Sequence, residues 1–188
     1  MSTITKFPTA NSGGTYPWTS PGNLYADDNT YASVANPFNV YNRDYIQFLS
    51  TYAFGVPVGA IINSVTVTAG WYGGSVDETF DLGIQAYLGT STARGAETTV
   101  SATQGSEVVL TLANPGTWSV AELNTNTTAG MNIRLRYRKT SDNGYAQSIF
   151  CDYIKVVIDY SLGYAHKVLG ILTPAKVNGA IPAKVLGV

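Results

Sequence analysis

The chain has 188 residues, a formal net charge of −1 and 45% hydrophobic residues, enough for one domain with a proper core and a small appendage. Only 12% of the residues are charged, so the polar surface must come from Thr, Ser, Asn, Gly and Tyr, and no general attraction to nucleic acid or an anionic membrane is expected. A single cysteine, Cys151, excludes an intrachain disulfide, and no apolar run approaches the roughly 20 residues of a membrane-spanning helix.

Met1 to Lys6 lack the basic and apolar regions of a signal peptide, so synthesis and solubility in a cytoplasm are expected. Residues 1–40 are broken by Pro8, Pro17, Pro21 and Pro37, with Phe7, Tyr16, Trp18, Tyr25, Tyr31 and Phe38 between them. This reads as an irregular extended segment packed on the rest, its aromatics serving as core or edge cover.

A strand is expected near Asp44 to Ser50, followed by a turn at Gly55-Val56-Pro57-Val58-Gly59. Val65, Val67, Ala69 and Trp71 then alternate with Thr66, Thr68, Gly70 and Tyr72. Phe80, Leu82, Ile84, Ala86 and Leu88 alternate with Asp81, Gly83, Gln85 and Tyr87. Successive strand side chains point to opposite faces, so both runs predict half-buried strands. A shorter strand is expected near Glu107 to Leu112, before the turn Asn114-Pro115-Gly116. Ile133, Leu135 and Tyr137 alternate with Arg134, Arg136 and Arg138. After Asp142-Asn143-Gly144, the residues Phe150, Ile154, Val156, Ile158 and Tyr160 share one face of a last long strand. No stretch sustains a 3.6-residue apolar period. The pattern predicts an all-β antiparallel β-sandwich over residues 1–160.

A boundary falls near Tyr160 to Tyr164, and residues 165–188 read as an extended C-terminal arm. No acidic residue follows Asp159, and a phrase recurs: Lys167-Val168-Leu169-Gly170, Lys176-Val177-Asn178-Gly179, Lys184-Val185-Leu186-Gly187. Gly and Pro break any helix, while Val168, Leu169, Ile171, Leu172, Val177, Ile181, Val185 and Leu186 favour extended structure. Such an arm suits strand addition to a neighbouring subunit; the competing reading is a hairpin around Asn178-Gly179, folded on its own sandwich.

Catalytic chemistry is hard to assemble. His166 is the single histidine and stands at the start of the arm, where no rigid scaffold would hold a base. Zinc would need several His or Cys ligands. Cys151 has no cation beside it in sequence and reads as a small buried thiol. Asp77-Glu78, Asp27-Asp28 and Asp152 are the visible carboxylates for a glycosidase pair, but the first two sit in turn-like loops. The oxygens of Asp27, Asp28 and Asn29 suit a hard cation such as calcium, although they match no ligand-spacing rule. Arg134, Arg136, Arg138 and Lys139 form the one basic stripe, read either as a solvated strand face or as a contact for an acidic neighbour. No cofactor and no enzymatic activity are expected.

The ordered set of Ser20–Ser33, Tyr45–Trp71, Gly116–Asn124, Asn132–Arg138 and Cys151–Tyr160 resembles a widespread group of tailed-bacteriophage and prophage structural proteins. The resemblance covers most of residues 16–160. It implies a jelly-roll-like β-sandwich and a place on the virion, as a head decoration or a tail or fibre subunit, and it supplies no catalytic residues. The partners it implies are capsid or tail subunits. Further copies of the chain are also expected as partners, with a trimer favoured. The alternative reading is a carbohydrate-binding β-sandwich module that uses exposed Tyr and Trp for host-surface adhesion.

Overall fold

The computed structural model describes residues 1–12, 17–36, 41–49, 53–73, 79–103, 107–140 and 147–162. The described strands are β1 (Ser2–Lys6), β2 (Ala10–Asn11), β3 (Ala32–Asn36), β4 (Asn42–Gln47), β5 (Ala60–Gly73), β6 (Thr79–Leu88), β7 (Thr92–Thr103), β8 (Val108–Ala113), β9 (Met131–Lys139) and β10 (Gln147–Leu162). A 3-10 turn spans Pro21–Leu24 and a short helix, α1, spans Val120–Asn124.

All the pairings are antiparallel and they build two five-stranded sheets. In the first, the order is β1-β10-β5-β8, with β3 beside the opposite half of β10 from β1. The second runs β2-β4-β9-β6-β7. Successive strands change sheet at every step except the β6–β7 hairpin, which gives the jelly-roll-like connectivity.

Period two explains the layers. Val65, Val67, Ala69 and Trp71 of β5 and Ile154, Val156 and Ile158 of β10 face Ile133, Leu135 and Tyr137 of β9 and Phe80, Leu82 and Ile84 of β6 in one core cluster. Trp18, Trp71 and Tyr137 form an aromatic trio at its centre, with ring centroids 5.5–6.2 Å apart.

The structure departs from the sequence reading in five places. Phe150 does not share the face of Ile154, Val156 and Ile158: a bulge after Cys151 shifts the alternation, and Ile149 and Cys151 face the core instead. The described part of residues 1–36 packs on the rest as expected, with Trp18 and Leu24 in the core, but it is more regular than expected: β1 and β3 pair with β10, and β2 pairs with β4. Strand β7 had no apolar alternation to announce it, because it lies at the edge of the second sheet with most of its side chains exposed. Helix α1 is one turn long, too short for a periodic signal. Its start is marked instead by a capping box, in which Ser119 accepts from the Glu122 backbone N–H and Glu122 accepts from the Ser119 backbone N–H. Lys139 leaves the basic stripe, since the strand period turns it inward and it is 1% exposed.

The arm residues Lys167, Val168, Leu169, Ile171, Leu172, Lys176, Val177, Ile181, Lys184, Val185 and Leu186 lie outside the described residues, as do His166, Tyr16, Phe38 and Asp77-Glu78.

Candidate functional site

Two surfaces gather polar chemistry. The first is the outer face of the second sheet. Register places Arg138 beside Asp81, Arg136 beside Gly83, and Arg134 between Gln85 and Tyr45. Each guanidinium is held. Arg138 donates to Asp81 at 2.5 Å, Arg136 to Glu97 at 2.9 Å, and Arg134 to Gln85 at 2.7 Å and to Glu97 at 3.2 Å. Their planes also lie over aromatic rings: Arg134 is 4.9 Å from the Tyr87 centroid, and Arg136 and Arg138 are 4.6 and 4.0 Å from that of Tyr41. Tyr87 meets Tyr45 edge to face at 5.5 Å.

The stripe read from Arg134, Arg136 and Arg138 is therefore no bare row of charge. Their side chains keep 14%, 23% and 25% of their exposure, and the acidic groups beside them come from β6 and β7 of the same sheet. Asp81 also accepts from Ser101 at 2.7 Å and from the Tyr41 hydroxyl at 3.3 Å. The Ser101 and Arg138 bonds hold its carboxyl below the usual carboxylate range. Beside it lies a shallow hollow of about 270 Å³, lined by Tyr41, Asp81, Thr99, Val100, Ser101 and Arg136. An aromatic ring next to fixed donors and acceptors can stack on an apolar face of a ligand while bonding its hydroxyl groups.

The second surface is acidic and lies on the outer side of the first sheet. Between Cys151, paired with Trp71, and Ile154, paired with Ala69, β10 carries a bulge, so Asp152 and Tyr153 stand opposite Gly70 alone. A turn that includes Asp27, Asp28 and Asn29 folds over this bulge, tied down by the Tyr25–Tyr153 bridge. Asp28 accepts from the Thr30 N–H at 3.0 Å, and Asn29 has φ +60°, which bends the chain back. Asp152 is 1% exposed, and the backbone N–H groups of Asn29 and Asp28 partly offset the upward push of burial on its carboxyl. Glu107 lies over Gly70, where a Cβ would overlap the Glu107 Oε1. Lys155 binds Asp27 at 3.0 Å.

Burial raises the pKa of Asp152 and partial desolvation that of the exposed Glu107, and the neighbouring carboxylates reinforce both shifts. Burial likewise pushes the Cys151 thiol well up, helped by Asp152 and Glu107, so Cys151 is no thiolate nucleophile. Among the described residues, no three His, Cys, Asp or Glu side chains stand close enough as placed to hold a metal ion. The sequence reading found Asp27, Asp28 and Asn29 but missed that Asp152 and Glu107 join them. The interruption of apolar alternation at Asp152 was its one visible trace.

No protein-family model matches the sequence, nor does any curated protein. Solved structures with similar strand arrangements include the xylanase 10B CBM22-1–GH10 modules of Clostridium thermocellum complexed with xylohexaose, at 13% identity and TM-score 0.43 over 86% of this chain and 29% of that one. The CBM22-1 xylan-binding domain of Paenibacillus barcinonensis gives 11% identity and TM-score 0.40 over 82% and 92% of the two chains. A tailspike protein of bacteriophage CBA120 gives 7% and 0.39 over 84% and 19%. Similarity at this level carries no ligand over to this chain.

Proposed function

We propose that the protein is a non-enzymatic carbohydrate-binding β-sandwich module whose ligand face is the outer surface of the second sheet. The observation that carries this reading is the hollow at Tyr41, where a 40%-exposed ring adjoins Asp81, Ser101, Thr99 and Arg136. Sugars present hydroxyl groups and apolar C–H faces together, and this hollow offers partners for both. Asp81 and Arg136 are already locked by ion pairs, so little side-chain entropy is lost on binding.

The test is affinity electrophoresis and calorimetry of the purified chain against a panel of polysaccharides. Saturable binding that Tyr41→Ala abolishes and that leaves the glycan intact supports the reading. Binding unchanged by both Tyr41→Ala and Arg136→Gln sinks it, as does release of sugar from a bound glycan.

A virion structural role is the second reading, favoured by the Lys-Val-x-Gly repeats of residues 167–188. A repeated, acid-free segment rich in Val, Leu and Ile suits attachment to a neighbouring virion subunit by strand addition. The two readings are compatible: the arm would attach the module, and the sandwich would meet the glycan.

A further inference from the structure

We propose, on the reading of the Tyr41 hollow as a sugar site, that its ligand is an acidic polysaccharide, a chain of sugars that carry carboxylate or sulfate groups. Arg43 lies across from Arg136: register pairs the two directly on β4 and β9. Opposite residues of an antiparallel pair share a face, and like charges in that position repel. An anion that comes to lie beside both guanidiniums relieves this repulsion and gains charge-assisted hydrogen bonds. Both can be reached from solvent, since Arg43 is exposed and Arg136 lines the hollow.

The charge of the whole face agrees. Among the described residues, the outer side of the second sheet sets Arg43, Arg134, Arg136 and Arg138 against the carboxylates of Asp81 and Glu97. Glu97 alone serves two guanidiniums, those of Arg134 and Arg136, and Asp81 is bound by Arg138. These residues make a cationic face on a chain whose net charge is −1. The first sheet has the opposite sign outside, with Asp27, Asp28, Glu107 and Asp152 in one patch. An anionic polymer is therefore drawn to one side of the sandwich and repelled by the other.

Tyr41 selects a sugar over an acidic protein segment. Its ring is 40% exposed and adjoins Ser101, Thr99 and Asp81, which can bond hydroxyl groups that an acidic peptide lacks. A sugar seated on the ring holds its acidic group next to Arg136, with Arg43 as the neighbouring cation.

The experiment is calorimetry of the full chain at low salt against two matched pairs: polygalacturonate and its methyl ester, dextran sulfate and dextran. Poly-L-glutamate serves as an acidic chain without sugars. An acidic polysaccharide should bind about tenfold or more tighter than its neutral counterpart and than poly-L-glutamate, and added salt should weaken it. The pair that shows the difference tells carboxylate from sulfate. Arg136→Gln should weaken binding about tenfold or more, as for a lost hydrogen bond between charged groups. Arg43→Gln, at an exposed position that the fold tolerates, should weaken it about two- to fivefold. Lys6→Gln, exposed on the first sheet, should change nothing. Should Arg136→Gln fail to fold, Arg43→Gln and the matched pairs still decide. Equal binding of acidic and neutral polymers, lost with Tyr41→Ala, overturns the acidic ligand and leaves the sugar site standing. Equal binding of poly-L-glutamate, or equal losses in Arg43→Gln and Lys6→Gln, also overturns it. Absence of binding to any polysaccharide, acidic or neutral, overturns both readings.

Discussion

Glu97 closes over Gly83: a Cβ at position 83 would stand 3.0 Å from the Glu97 Oε1 and 3.3 Å from the Thr99 methyl. The missing side chain lets one carboxylate cross the sheet and hold Arg134 and Arg136 together. Gly83→Val should displace Glu97 and leave two half-buried guanidiniums short of their partner. The expected loss is about 1.5–3 kcal/mol in urea unfolding, the range for hydrogen bonds to charged groups. Gly83→Ala should cost less, because the end of Glu97 can yield by a few tenths of an ångström. An unchanged midpoint for Gly83→Val would show that Glu97 is not held where the structure places it.

Leu135 lies at the centre of β9 with 0% exposure, between Ile133 and Tyr137 on the inward face. Leu135→Ala should destabilise the fold by about 2–5 kcal/mol, through lost burial and the cavity left behind. Equilibrium denaturation measures it. A loss below that range would mean that the core collapses around the gap.

The raised pKa of Glu107 makes a signed prediction. Desolvation first, then Asp152 and Asp27, lift it above its ordinary value of 4.5. Between that value and the raised one, the folded chain binds more protons than the unfolded chain, so the ionised group lowers stability as pH rises through the window. Glu107→Gln should melt higher than wild type at neutral pH, and the gain should vanish below the unfolded pKa. Asp81 has the opposite sign: its lowered pKa stabilises the fold above the unfolded value, and that stability is lost as pH falls through the folded pKa. Asp81→Asn should therefore melt lower at neutral pH and converge with wild type in acid. Parallel pH profiles for wild type and variants would contradict both assignments.

Truncation after Tyr164 removes the repeated arm. The remaining sandwich should fold with a similar melting temperature, because all ten described strands lie within residues 2–162. Self-association, read by light scattering, or incorporation into a particle should fall sharply. Normal assembly of the truncated chain would exclude the arm as the attachment device, and unfolding would assign the arm to its own core.

The sequence by itself determined the two-layer architecture, because a strand with one buried face must alternate. Ile133, Leu135 and Tyr137 against Arg134, Arg136 and Arg138 could satisfy both water and core in one way only, and the structure has that arrangement. Strands with little apolar contrast were silent: β7 is exposed at a sheet edge, β1 is a short, mostly exposed strip paired to β10, and β3 shows its buried face through Ala32 and Val34 alone. Only the tertiary structure decided which charges meet. Glu97 and Arg134 are 37 residues apart, and Lys155 and Asp27 are 128 apart. Ion pairs across strands depend on register, and register is set by the whole sheet rather than by any local run. The same holds for Asp152, which in sequence merely interrupts an apolar strand. The bulge opposite Gly70 and the turn at Asp27–Asn29, brought from the far end of the chain, make it a buried carboxylate with an oxygen to spare.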